Sequence, residues 1–185
     1  MSKRMLARWQ DELGKGLEHL VLDVGDTGVM ADSIVLAGEE GQYYVAQYQL
    51  RCDRQWRLRE ARVTLTGEGR ALELRSDGEG QWTDGAGAAL PHLAGAIDID
   101  ITVTPFTNTL PIRRLEWRAG CAVDLRMAYV WLPELRVTAD PQRYTCLEPG
   151  RRFRFESLDS DFTRDLEIDA DGLVVTYPGL FRRVV

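Results

Sequence analysis

Ile97, Ile99, Ile101 and Val103 alternate with Asp98, Asp100, Thr102 and Thr104 in one unbroken run. Side chains in a strand point to opposite faces in turn, so this segment carries one apolar face and one acidic-hydroxyl face. The alternation stops at Pro105 and gives way to Phe106-Thr-Asn-Thr109, then Pro111 and the paired Arg113 and Arg114. Each proline disfavours helical geometry in the residue before it. The stretch 98–115 therefore reads as a strand, a proline-framed polar loop and a second extended piece.

The same period recurs along the chain, in Arg62-Val-Thr-Leu-Thr66, Ala71-Leu-Glu-Leu-Arg75, Arg151-Arg-Phe-Arg-Phe-Glu156 and the set Tyr44, Ala46, Tyr48, Leu50. Turn signals separate these runs: Gly25-Asp26, Gly38-Glu-Glu-Gly41, Gly67-Glu-Gly69, Asp77-Gly78, Glu148-Pro-Gly150 and Asp171-Gly172. Short strands joined by such turns predict an antiparallel all-β chain. Residues 3–13 are open to two readings. Met5, Trp9 and Leu13 fit one helical face, and the same residues fit a leading strand.

At 185 residues the chain suits one domain, 1–185, with a core large enough to need neither metal nor disulfide staples. The loop Gly85-Ala-Gly-Ala-Ala-Leu-Pro91 is the expected seam between two β-rich blocks. Leu72-Glu-Leu-Arg-Ser-Asp-Gly and Leu166-Glu-Ile-Asp-Ala-Asp-Gly echo each other across it. This suggests pseudo-repeat halves of about 1–84 and 95–185.

A net charge of −6 argues against a nucleic-acid binder, whose affinity rests largely on a basic surface, and it disfavours an anionic membrane. The apolar stretches, such as Ala128-Tyr-Val-Trp-Leu132, are too short for a transmembrane segment. Three cysteines without a CxxC, and an N-terminus lacking a signal peptide's apolar run, predict a cytoplasmic protein. Two distant histidines, His19 and His92, provide poorly for metal or histidine catalysis, and none of the common nucleotide or hydrolase motifs occurs. No cofactor is expected.

Asp98 and Asp100 share a strand face with Cα atoms about 6.6 Å apart. Such a pair can serve as acid and base on a glycosidic bond, hold a cation, or pair with Arg113 or Arg114 in an internal salt bridge. Thr104, Phe106, Thr107, Asn108 and Thr109 either cap their own loop or meet a sugar's apolar face and hydroxyl rim. The aromatic set, Trp82, Tyr144 and Tyr177 among it, lines either a core or a cavity.

The run Gly95–Leu115 resembles the signature of the bacterial putative glycolipid-binding family. Cys52-Asp-Arg-Gln-Trp56, Gly80-Gln-Trp82, Gln142-Arg-Tyr144 and Asp171–Pro178 with Phe181-Arg182 agree with it in order, so the resemblance spans nearly the whole chain. It implies a spiral β-roll, a curled many-stranded sheet or incomplete barrel with a concave interior, similar to bacterial lipoprotein carriers. It also implies non-enzymatic binding of a lipid or glycolipid on that concave face. Asp98, Asp100, Thr104, Phe106, Thr107, Asn108, Thr109, Arg113, Arg114, Trp82, Tyr144 and Tyr177 are then the candidate ligand contacts. The Thr-Asn-Thr segment and the arginines are expected at the cavity mouth. Two other readings stay open: a hydrolase of a sugar or lipid substrate using the Asp98–Asp100 pair, and an interaction module forming homo-oligomers through exposed sheet edges.

Overall fold

The computed structural model describes residues 2–39 and 41–185. Met1 and Glu40, the latter within the expected turn at 38–41, lie outside the described residues. Fourteen strands follow in chain order. They are β1 (Lys3–Asp11), β2 (Leu17–Gly25), β3 (Gly28–Glu39), β4 (Gln42–Cys52), β5 (Leu58–Leu65), β6 (Arg70–Ser76) and β7 (Trp82–Asp84). The second block holds β8 (Asp98–Ile101), β9 (Ala122–Trp131), β10 (Arg136–Glu148), β11 (Arg152–Ser157), β12 (Thr163–Ile168), β13 (Val174–Tyr177) and β14 (Phe181–Arg183). All join one sheet, in the order β7-β6-β5-β4-β3-β2-β1-β14-β13-β12-β11-β10-β9-β8. Every pair is antiparallel except β8 with β9.

The expected all-β, predominantly antiparallel architecture is what forms. Residues 3–11 take the strand reading, because alternation buries Ala7 and Trp9 while Leu6 and Arg8 face out. The first and last strands pair with each other, Trp9 opposite Arg183, so the chain ends meet in the middle of the sheet. Its two edges, β7 and β8, are left for the 85–97 connection to join, and the sheet does not close into a barrel.

The edges nevertheless come together. The Gly95 N–H donates to the Gly80 carbonyl at 2.9 Å, and the Trp82 indole donates to the Ala96 carbonyl at 2.8 Å. Gly80 is in left-handed space at φ 101°, and a Cβ there would lie 2.9 Å from the Gly95 Cα. Only glycine permits that approach.

Four turns share one geometry. Asp53, Asp77, Asp84 and Asp169 each accept two backbone N–H bonds on Oδ1, from the residues two and four positions on. The fourth residue of each turn, namely Trp56, Gly80, Gly87 or Gly172, has positive φ. The segments that echo each other in sequence lie on β6–β7 and β12–β13, six strands apart.

A sheet this wide needs something to cover its apolar face. Here the cover is largely the 98–115 run itself. Phe106–Asn108 forms a single 3-10 turn, and Thr109–Arg114 forms a short helix, α1. This corrects the expected loop and extended piece. Pro111 sits in the first turn of α1, where a backbone N–H would have no helical partner to lose. Every residue from Thr104 to Ile112 is buried. Phe106 and Leu110 pack with the β1–β7 core, and Ile112 packs with Tyr144, Phe153 and Leu166 of the second block. The helix is thus an internal plug that joins two apolar clusters.

Candidate functional site

The polar side chains of the plug are spent on holding it in place. Thr107 Oγ1 donates to Asp100 at 2.8 Å, Tyr144 Oη donates to Asn108 Oδ1 at 2.8 Å, and Thr109 Oγ1 donates to the Gly172 carbonyl at 2.9 Å. Thr104 Oγ1 accepts the Phe106 N–H at 3.0 Å. Arg114 turns inward onto Asp98, while exposed Arg113 lies over the Trp56 ring at 5.2 Å. Burial raises the Asp98 carboxyl above its ordinary range, and the bonds from Arg114 pull it back.

Two open cavities adjoin at the plug's first residues. The larger, about 530 Å³, is lined chiefly by apolar groups, among them Trp9, Leu13, Leu17, Val35, Leu36, Tyr44, Val103, Leu132 and Phe181. The second, about 410 Å³, is lined by Asp100, Asp140, Gln142 and Asp159 together with Tyr129, Trp131, Phe155, Phe162 and Tyr177. Thr102, Leu180 and Phe181 belong to both walls, so the compartments are neighbours. Both volumes fall in the range of small-molecule sites, roughly 300–1,000 Å³.

Each compartment has one conspicuous polar atom. Among the described residues, the buried side-chain atoms that lack a hydrogen-bond partner are Glu18 Oε2, in the apolar compartment's wall, and Gln142 Oε1, in the polar one's. Native structures seldom leave such atoms unpaired. Glu18 is 2% exposed, and its other oxygen accepts from Ser33 Oγ at 2.8 Å and Tyr48 Oη at 2.5 Å. Burial pushes this carboxyl up to about 7, against the opposing pull of its hydrogen bonds.

The amide nitrogen of Gln142 donates to both Asp100 Oδ2 and Asp140 Oδ2, each at 2.8 Å. That shared bond fixes the amide's orientation, since a flipped Gln142 would set its oxygen against two carboxylates. Burial raises both Asp100 and Asp140. The negative charge of Asp140 adds to the rise at Asp100, and that of Asp159 to the rise at Asp140.

The family model for putative glycolipid-binding proteins matches residues 6–183. The chain belongs to that family. A solved structure supports the assignment: a DUF1089-family protein from Pseudomonas aeruginosa is 40% identical, with a TM-score of 0.84 over 92% of each chain. No curated protein matches.

Of the residues expected at a ligand site, the polar compartment gathers Asp100, Thr104, Asn108 and Tyr177. Asp98, Phe106, Thr107, Thr109, Arg113, Arg114, Trp82 and Tyr144 line neither cavity. The Thr-Asn-Thr segment lies in the interior, not at a mouth. Sequence reasoning passed over Glu18, Asp140, Gln142 and Asp159. A signal existed for two of them: Glu18 is in phase with buried Leu20 and Leu22, and Gln142 with buried Tyr144 and Cys146. A polar residue on the inward beat of an apolar alternation requires a partner, from the protein or from a ligand.

Proposed function

We propose that this chain binds an amphiphile, a lipid or glycolipid, with its hydrocarbon chain in the apolar compartment and its head group in the polar one. The observation that carries the reading is the adjacency of the two compartments across Thr102, Leu180 and Phe181. One ligand with unlike ends can occupy both.

The mouth of the apolar compartment supports it. Leu13 is 68% exposed, Leu36 49%, Leu17 40% and Leu180 36%, and all four belong to its wall. Exposed leucines grouped at an apolar opening favour entry of an acyl chain. The aromatic walls of the polar compartment suit a sugar, whose ring offers an apolar face to stack and hydroxyls to bond. We place the protein in a reducing compartment, in keeping with three free cysteines.

Hydrolysis through Asp98 and Asp100 finds less support. Asp98 is 1% exposed and held by Arg114, so a single member of the pair reaches a cavity.

Native mass spectrometry of the purified protein, followed by solvent extraction, tests the proposal. The expected result is a co-purified amphiphile, and a delipidated protein that regains thermal stability on adding a neutral alkyl glycoside. A clean apo mass together with no thermal shift on adding dodecyl glucoside would overturn it.

A further inference from the structure

The polar compartment has an unbalanced inventory. Its wall holds three carboxylates, Asp100, Asp140 and Asp159, and no lysine, arginine or histidine. Arg136 and Arg164 are engaged on two wall rings, their guanidinium carbons 4.9 Å from the Trp131 ring centre and 4.4 Å from that of Phe162. Neither is part of the wall. The Asp159 carboxylate already takes a bond from Ser157 Oγ at 2.7 Å, and Asp100 takes one from Thr107.

Gln142 supplies the second, independent observation. It is 0% exposed, both of its close donor contacts go to carboxylates, and its Oε1 has no partner. An orphaned acceptor beside acceptor-only carboxylates lacks one thing, a donor. A neutral hydroxyl brings a single proton and lone pairs that would face further oxygens. An ammonium brings several protons, no lone pairs and a positive charge, which relieves the repulsion between the partly buried Asp100 and Asp140 and is attracted by the exposed Asp159 at their side. Tyr129 and Tyr177 belong to the same wall, and aromatic rings attract cations. A divalent metal fits less well, since no three His, Cys, Asp or Glu groups among the described residues are arranged to hold one.

We propose that the polar compartment selects a head group bearing a protonated amine, as in an amino-sugar glycolipid, and rejects anionic head groups. This rests on the amphiphile-binding reading above and narrows it. Hydrogen bonds to charged groups contribute about twice as much as neutral ones, so roughly a tenfold preference for the amine over its neutral counterpart is expected.

The test uses three ligands with one chain: dodecyl glucosaminide, dodecyl glucoside and dodecyl glucuronide, titrated calorimetrically below their micellar concentrations into delipidated full-length protein. The expected order is glucosaminide tightest, glucoside roughly tenfold weaker, and glucuronide weakest. In Asp140→Asn/Asp159→Asn the glucosaminide-to-glucoside ratio should fall toward one. The wild-type series decides the matter even if that variant does not fold. Equal affinity for all three, or tightest binding of the glucuronide, overturns the amine inference and leaves amphiphile binding standing. No binding of any of the three overturns both.

Discussion

Arg114 grips Asp98 with two nitrogens, Nε at 3.1 Å from Oδ1 and Nη2 at 2.6 Å from Oδ2. The bond ties the end of α1 back to the strand that leads into the plug. The Asp98 side chain is 1% exposed and that of Arg114 14%, so Asp98 has no water to fall back on and Arg114 little. Removing one member of a buried pair strands the other, at about 3–5 kcal/mol. Arg114→Met and Asp98→Leu should each cost that much in urea unfolding. The double variant should cost much less than the sum, because it leaves no buried charge unpaired. Additive losses would show that the pair contributes little as a pair.

Glu18 predicts a pH dependence whose sign is fixed by its environment. Its carboxyl lies at about 7 in the folded chain, against an ordinary value of 4.5 when unfolded. Between those values the folded chain holds a proton that the unfolded chain has released, so stability falls as pH rises. Across the whole window the loss is on the order of 3 kcal/mol. Asp98 and Asp100, also raised by burial, act with the same sign. Glu18→Gln mimics the protonated acid and keeps an oxygen for Ser33 and Tyr48. Unfolding free energies at pH 5 and pH 8 should therefore differ by less in the variant than in wild type. An unchanged pH slope would mean that Glu18 is ionised in the fold.

The seam between the sheet edges can be probed at Gly80. Alanine there meets two costs: left-handed geometry at φ 101°, and a Cβ 2.9 Å from the Gly95 backbone. Gly150 is the comparison, with φ 70° and nothing within 4 Å of where an alanine Cβ would sit. Gly150→Ala should cost about 1 kcal/mol from backbone strain alone, and Gly80→Ala distinctly more. Equal melting-temperature shifts would indicate that the edges separate easily.

These sites differ in how much of them the sequence announces. Strand existence is plain, because alternation such as Ala46–Leu50 reports which face is buried, whereas in β8 the acidic face is buried as well. The internal salt bridge is legible too, since an arginine pair following an acidic strand face needs partners. The plug is not. Prolines at 105 and 111 are read locally as breaks, yet a proline in a helix's first turn costs nothing, and burial of Phe106, Leu110 and Ile112 decides the conformation. Trp56 is similar. It occupies the left-handed turn position that glycine takes in the other three aspartate turns, and its reason lies far away, under Arg113. The cavities depend on which strands neighbour β1. Pairing of β1 with β14 brings Leu180 and Phe181 beside Trp9, and no local pattern signals that.

The leucines at the apolar mouth give the last prediction. Leu13, Leu36 and Leu180 are exposed enough that polar replacement should change folding stability by only about 0.5 kcal/mol each. An acyl chain entering the compartment would cover part of each, an attraction of about 1 kcal/mol per leucine, or roughly fivefold in affinity. Leu13→Ser/Leu36→Ser/Leu180→Ser should therefore melt close to wild type while retaining far less co-purified amphiphile after extraction. The same variant should lose affinity for long-chain alkyl glycosides more than for short-chain ones, because only the longer chains reach the mouth. A wild-type amphiphile yield from this variant would place the hydrocarbon somewhere other than this compartment.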